Sequence, residues 1–452
     1  MKLKPLSLIT CLLLGLASQA LSTQALSTQT LSTQTPFSQS QPRNIIFMIG
    51  DGMGPAYTSG YRYFKDDPRT PAVDTTVFDR LLVGTASTYP DDDTYVTDSA
   101  ASATALATGV KSYNGAIGID AEHQPLESLL KRAKQLGKDT ALVVTSELNH
   151  ATPASFVAHN ESRGNKDDIA NDFIDIRINQ RPVVDLLLGG GQQYFQRQDR
   201  NILREFERLD YQSAIELDAL NSLTRLPAIG LFASKGLERA IDSASPHRLS
   251  LLTGHALGLL QNNKNPAGFF MMIEGSQIDW CGHANDIACA MHEMDDFARS
   301  IELVEKFIEN NPDTLLVVTA DHSTGGLSLA ANKRYIWNTD IVAQQKQSLG
   351  KFTEQLDKDA DIASRWSHNF GYSLDSGELE QLRKTREDKN KLYDTIVAIS
   401  SRHSNTGWTT RGHDAVDVQV FAAGKGHDRF QGFQDNTDIS KTLFELLGSK
   451  SG

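Results

Sequence analysis

Short runs along the chain are apolar almost without interruption: residues 45–50, 140–145, 183–188, 228–233, 269–273, 314–320 and 416–422. A strand with one wet face alternates apolar and polar side chains, whereas a strand covered on both faces does not. These runs therefore predict strands buried in a parallel sheet. Between them the apolar period lengthens to three and four. Ile287, Met291, Met294, Phe297, Ile301, Val304 and Ile308 form one helical stripe, and further helices are predicted over 99–108, ended by Gly109, and over 125–136, ended by Gly137. The alternation predicts an α/β protein, a three-layer α/β/α sandwich around a large, mostly parallel sheet.

Two stretches interrupt that pattern. Between His322 and His413 the chain carries Trp337, Trp366 and Trp408, many lysines and glutamines, and helix-like periods over 341–356 and 379–399. Residues 323–411 are expected to form an inserted cap or crown subdomain above the sheet, covering a site or offering a dimer contact. Residues 189–226 read as a surface excursion.

The N-terminus follows other rules. Lys2 and Lys4 precede an apolar run over 6–16 and the small residues Ala17, Ser18 and Ala20, the layout of a signal peptide over 1–20. The run is too short for a membrane anchor, and Cys11 sits inside it rather than just after it, which disfavours a lipid-anchored form. Copies of Leu-Ser-Thr-Gln beginning at Leu21, Leu26 and Leu31 make 21–42 a low-complexity linker. The folded domain is then 43–452, and its expected location is periplasmic or secreted.

At 452 residues the chain can bury a large core. Its formal charge of −12 argues against nucleic acid or anionic membrane as a partner, so any anion must be met by local positive charge. Cys281 and Cys289 are eight positions apart on what reads as one helix. A continuous helix would hold them about 12 Å apart, so two free thiols are expected unless the segment before His283 is loop.

Candidate chemistry gathers at the predicted strand ends. Asp51 follows the first apolar run in Gly50-Asp51-Gly52-Met53-Gly54, where an aspartate caps a turn or meets a ligand that glycine allows close. Asp98-Ser99 opens a helix of very small residues, and Ser99 is there either an ordinary N-cap or a hydroxyl presented to an anion held by free N–H groups. Glu274, Asp279 and His283 follow another apolar run. Asp279 and His283 have the i,i+4 spacing of paired metal ligands, which also arises by chance. Asp321-His322 directly after the 314–320 run, with Gly325 and Gly326 behind, is costly to bury without a partner. His413 alone reads as a surface histidine. Together these residues offer Asp and His mixtures suited to Zn²⁺ and oxygen-only groups suited to Mg²⁺, with no cysteine cluster.

The runs Tyr95-Val96-Thr97-Asp98-Ser99-Ala100-Ala101-Ser102-Ala103-Thr104-Ala105, Lys111-Ser112-Tyr113-Asn114-Gly115-Ala116, His150-Ala151-Thr152-Pro153-Ala154-Ser155-Phe156, Ile273-Glu274-Gly275-Ser276-Gln277-Ile278-Asp279 and Thr319-Ala320-Asp321-His322 resemble the alkaline phosphatase family in order and spacing. The resemblance extends from about Asn44 to the C-terminus and is poor over 323–411. It implies a hydrolase of phosphate monoesters with Ser99 as nucleophile and a phosphoserine intermediate. It implies two Zn²⁺, one held by Asp279, His283 and His413 and the other by Asp51, Asp321 and His322. A third ion, usually Mg²⁺, would be held by Asp51, Thr152 and Glu274. Arg163 would clamp phosphate oxygens with Asp98 holding it in place, and dimers are common in the family.

Two positions depart from one branch of that family. His150 stands where the branch has an aspartate and Trp280 where it has a lysine, both beside the substrate. A nitrogen ligand at the third position favours zinc or cobalt over magnesium, and loss of a cation implies weaker retention of product phosphate. A sulfatase is excluded, because Ser99 is followed by Ala100, Ala101 and Ser102 rather than by proline and arginine. The remaining alternatives are a phosphodiesterase of the same superfamily and a non-catalytic zinc- or phosphate-binding protein.

Overall fold

The computed structural model describes residues 41–356 and 361–448. The expected signal peptide and nearly all of the expected linker lie outside the described residues. One sheet of ten strands organises the rest: β1 (Asn44–Gly50), β2 (Leu82–Ser87), β3 (Asp139–Glu147), β4 (Leu186–Gly190), β5 (Gln212–Ala214), β6 (Ala228–Leu231), β7 (Phe269–Gly275), β8 (Thr314–Thr319), β9 (Val418–Gly424) and β10 (Gly432–Asp435). Their order across the sheet is β10-β2-β9-β8-β1-β7-β3-β4-β6-β5.

β1 lies near the middle and pairs in parallel with β7 and β8, Ile46 standing opposite Met271 and Leu316. Every residue of β1, β3, β4, β6, β7 and β8 is buried. The uninterrupted apolar runs are the cause, since each fully buried Leu, Ile or Phe contributes about 1.5–3 kcal/mol only if both faces of the sheet are covered. Helices Arg248–Asn263 and Ile287–Asn310 pack together as one covering layer. Helices Ser99–Thr108, Leu129–Gln135 and Asn436–Leu447 form the other. The sandwich expected from the sequence is the fold observed.

β9 alone runs against its neighbours, with Val318 opposite Phe421 and Gly84 opposite Val420. Its start therefore lies at the sheet edge where β1, β3, β7 and β8 end.

Some boundaries differ from the sequence reading for local reasons. The helix expected from 125 begins at Leu129, because Ser128 caps it by accepting the Lys131 N–H at 3.2 Å. The strand expected over 183–188 is Leu186–Gly190; Val183 and Val184 are buried just before the ladder. Residues 189–226 are more than an excursion, because they contribute the end of β4 and edge strand β5. β2 and β10 went unpredicted because their half-exposed side chains give no apolar run.

The long insertion is helical, and its helices break where caps intervene: Ser348 starts Leu349–Gln355, and Asp388 starts Lys389–Ser404. It has a hydrophobic cluster of its own, in which Trp366 stacks on Phe370 with ring centroids 4.1 Å apart and Phe352, Leu382 and Ile396 close around them.

Cys281 and Cys289 are not free thiols. They form a disulfide with Cα atoms 5.5 Å apart. The helix expected to separate them is interrupted: Gln277–His283 ends, the Asp286 N–H turns back to the Cys281 carbonyl at 3.0 Å, and Asp286 caps the new helix Ile287–Asn310 through the Cys289 N–H at 3.2 Å. Denatured without reductant, the 43–452 chain should show no reactive thiol. Cys281→Ser with Cys289→Ser should lower unfolding free energy by about 2–3 kcal/mol in denaturant titration, the cost of releasing a short closed loop.

Candidate active site

Asp51 is the first residue after β1 and is fully buried. Gly52 must follow it: its φ is 72°, and a Cβ there would stand 2.8 Å from the Asp279 Cα and 2.7 Å from the Thr324 hydroxyl. Its N–H donates to Asp321 Oδ1 at 3.0 Å. Asp321 and His322 leave the end of β8, Glu274 closes β7, and Asp279 and His283 lie on the helix Gln277–His283 that follows. His150 and Thr152 start the short helix Ala151–Ser155 after β3. His413 reaches the same edge because β9 is reversed, and Thr324 opposite it fixes the approach through a short antiparallel pairing.

Asp98, not Ser99, caps the helix of small residues, accepting the Ala101 N–H at 3.0 Å. Ser99 is thereby released from capping. Its hydroxyl lies 3.2 Å from His322 Nε2.

Within this edge the titratable side chains fall into three groups whose ligand atoms lie within 4.8 Å of one another: Asp279, His283 and His413; Asp51, Asp321 and His322; and Asp51, His150 and Glu274. In the first, His283 Nδ1 meets the Arg411 carbonyl and His413 Nδ1 the Thr97 carbonyl, at 2.8 Å for the latter. A carbonyl only accepts, so each Nδ1 carries a proton, and in the neutral rings that bind metal each Nε2 presents a lone pair. Those two Nε2 atoms are 3.1 Å apart. Lone pairs facing at that distance repel unless a cation lies between them, and two Zn–N bonds at a tetrahedral centre span about 3.3 Å. Carbonyl anchoring of the far nitrogen is also how metal-binding histidines are oriented.

The other two groups fit cations for a different reason. Both oxygens of Asp51, Glu274 Oε1, Asp321 Oδ2, the Thr152 hydroxyl and His150 Nδ1 are buried without a hydrogen-bond partner. Desolvation drives the Asp51 carboxyl far upward, with the charges of Asp321, Asp279 and Glu274 adding to it. Burial likewise lifts Glu274 to about 8 and Asp321 to about 7. His150 is pushed down to about 3 by burial and then by Arg163 and Lys166, and His322 falls by burial and then His413. Asp279 resists the upward push of burial because the His283 hydrogen bond and the neighbouring imidazoles hold it low. Orphaned acids that repel one another in a dry pocket are the donor set of a divalent site.

Arg163 and Asp98 form the pocket's cationic side. Arg163 Nη1 donates to Asp98 Oδ2 at 3.0 Å, while Asp98 Oδ1 also accepts the Gly115 N–H at 3.1 Å. Trp280 lies edge-on to His150 of the third group, ring centroids 5.8 Å apart. Sequence reasoning missed Thr324, whose hydroxyl meets Asp279 Oδ1 at 2.5 Å and His322 Nδ1 at 3.2 Å. Its signal was its place two residues after His322. It also missed Ser146 and Ser276, which both donate to Glu274 Oε2.

The family profile described as Alkaline phosphatase matches residues 42–449. The chain belongs to the alkaline phosphatase family. Alkaline phosphatase 3 of Bacillus subtilis is 41% identical over 417 residues, covering 91% of this chain and 90% of that protein. The cold-active alkaline phosphatase of the psychrophile Shewanella sp. superposes with a TM-score of 0.84 at 47% identity, covering 90% of this chain and all of that one. A histidine-to-aspartate mutant of the alkaline phosphatase from the Antarctic bacterium TAB5, with Mg bound in its M3 site, has a TM-score of 0.67 at 27% identity, over 90% of this chain and 99% of its own. The chain is an enzyme of this family, which is metal-dependent. Among the described residues no helix is long and apolar enough to cross a membrane.

Without metal the acids set the pH response. Glu274 and Asp321 ionise near 8 and 7 in the fold against 4.5 and 3.8 unfolded, and His283 is raised to about 8 by its Asp279 hydrogen bond. A group with a raised folded pKa stabilises at low pH and loses that contribution as pH climbs through the folded value. His150, His322 and His413 act oppositely, but their effect is complete by about 6.5, where unfolded imidazole loses its proton. Chelator-treated protein should therefore lose about 3–5 kcal/mol of stability between pH 6.5 and 8 in thermal or denaturant melts, and restored Zn²⁺ and Mg²⁺ should abolish the fall. A flat profile in chelator would contradict the burial of these acids.

Proposed function

We propose that the protein is an exported phosphomonoesterase that works at alkaline pH through a phosphoserine on Ser99. The observation that carries this reading is the Ser99 hydroxyl, buried at the first position of its helix, 3.2 Å from His322 Nε2 and beside the Asp98–Arg163 pair. Ser99 Oγ attacks phosphorus, its proton passes to solvent, and the ester P–O bond breaks toward the alcohol. Water then attacks the phosphoserine, the P–Oγ bond breaks, and phosphate leaves with Ser99 restored. Arg163 offers a planar fork to two phosphoryl oxygens and is kept in register by Asp98, which lysine could not match.

Asp279, His283 and His413 would hold one Zn²⁺, and Asp51, Asp321 and His322 another. Asp51, Thr152 and Glu274, with His150 adjoining, would hold a third ion. The TAB5 relative holds Mg in its M3 site as a histidine-to-aspartate mutant, whereas the His150 nitrogen here favours Zn²⁺ or Co²⁺. When bound, the ions supply charge neutralisation for the phosphoryl oxygens and the leaving alkoxide and lower the pKa of the attacking hydroxyl.

A phosphate monoester is the better substrate than a diester because Arg163 grips oxygens that a second ester would block. Segment 1–20 acts as the export signal, 21–42 as the tether, and 323–411 as the inserted cap. Ser99→Ala should lower turnover of an aryl phosphate by at least about 10³-fold while zinc content by mass spectrometry stays unchanged. Preserved turnover would remove the serine mechanism, and faster hydrolysis of an aryl diester than of the monoester would favour the diesterase alternative. Trp280→Lys should strengthen competitive inhibition by inorganic phosphate, and unchanged inhibition would show that the tryptophan does not set product retention.

A further inference from the structure

The β3 side of the pocket is cationic in a protein of net charge −12. Trp280 occupies it without charge, edge-on to His150 and against Gly236, where an added Cβ would stand 2.5 Å from the indole ring. Lys166 lies in the turn after Arg163, its ammonium 5.4 Å from the Tyr194 ring centroid and 3.7 Å from Glu147, and its placement on its helix is unfavourable. It is the first residue of helix Lys166–Asp175, the end where the helix dipole favours an anion and disfavours an ammonium. Its side chain is held to 30% exposure, and burial lowers its pKa. Its acidic partner Glu147, 7% exposed at the end of β3, is 3.7 Å away, too far for a hydrogen bond. A lysine kept partly desolvated at an unfavourable helix end breaks local rules in the way functional residues do.

The backbone ties this lysine to the site from both sides. Asn149 Nδ2 donates to the Lys166 carbonyl at 2.9 Å, and the next residue is His150, whose N–H donates to the Glu147 carbonyl at 2.9 Å. On the other side, the Lys166 N–H donates to the Gly164 carbonyl at 2.9 Å and the Arg163 N–H to the Gly115 carbonyl at 2.8 Å. One tight turn thus carries both cations, Arg163 reaching Asp98 and Lys166 reaching Glu147. The charges of both press on the His150 imidazole.

We propose that Lys166 is the second cation of the phosphate pocket, supplying through solvent the positive charge that Trp280 gives up, with Glu147 as the buried carboxylate that positions it. The inference rests on the phosphomonoesterase reading above. A flexible ammonium suits such a role, since it acts as a point charge through bridging water.

The test uses enzyme loaded with zinc and magnesium, with inorganic phosphate as the probe. In Lys166→Met, the inhibition constant for phosphate and the KM for an aryl phosphate should each rise about tenfold, with kcat within about twofold, as expected for a charge acting at a distance. Lys166→Arg should restore most of the affinity. Because Lys166→Met leaves Glu147 buried and unpaired, the double variant Glu147→Gln, Lys166→Met decides: phosphate affinity that stays weak in this neutral pair supports the proposal, and affinity that returns to wild type overturns it by reducing Lys166 to a counterion. Calorimetric titration of phosphate into Ser99→Ala, with and without Lys166→Met, separates this inference from its parent. Equal phosphate affinity in the two sinks the Lys166 role, whereas full turnover by Ser99→Ala sinks the serine mechanism.

Discussion

Three carboxylates whose shared burial opposes charging all of them without a cation among them sit at the end of the central strands. Asp51, Asp321 and Glu274 are each fully buried, each carries an oxygen without a hydrogen-bond partner, and each is raised by desolvation. A buried ionised carboxylate costs several kcal/mol even after relaxation, and like charges nearby add to that cost. Hydrogen bonds from Gly52 and His322 to Asp321 and from Ser146 and Ser276 to Glu274 offset only part of it. The sheet repays it indirectly, because continuous apolar burial along β1, β7 and β8 supplies enough stability to hold such a cluster at its edge. The electrostatic debt and the strength of the sheet are two sides of one construction, and divalent cations are what the debt selects for.

The same constraint explains the reversal of β9. Parallel strands bring only their carboxyl ends to the binding edge, and those ends supply Asp51, Glu274 and the Asp321-His322 pair. His413 enters from the start of an antiparallel strand, with Ser323 and Thr324 paired against His413 and Asp414 to hold the approach. Backbone carbonyls of Thr97 and Arg411 then fix which nitrogen of His413 and His283 faces inward. Orientation here costs no extra side chain, since carbonyls already present at the loop ends set both tautomers.

How much of this was legible in the sequence follows from the kind of signal each part leaves. Strands buried on both faces leave runs that cannot be mistaken for amphipathic helices once length is considered, so β1, β3, β7 and β8 were readable. β10 is an edge strand and β2 its neighbour, both with half-exposed or exposed side chains such as Leu82 and Phe433, and such strands leave no apolar run. The disulfide was misread because a stripe of spacing alone cannot show that Asp286 stops one helix and caps the next. The candidate ligands were readable as a set, because adjacent acid and imidazole after an apolar run is expensive without a partner. Thr324, Ser146 and the carbonyl anchors were not readable, since hydroxyls and backbone groups leave no signature until the fold brings them to Asp279, Glu274 and the histidines. Ser99 lay between these cases. It looked like a cap, and only the position of Asp98 shows that the cap is one residue earlier and the serine is free.

An acidic chain that handles a dianion must concentrate its positive potential in a small volume. Beside the proposed metal ions, one turn presents two cations. Arg163 and Lys166 leave it toward separate carboxylates, Asp98 at 24% side-chain exposure and Glu147 nearly buried. Trp280 and His150 then insulate that wall with apolar and neutral surface, since burial holds the His150 imidazole uncharged. The layout keeps anion-attracting and cation-attracting charges side by side without letting them cancel, and it does so with paired residues drawn from different strand ends.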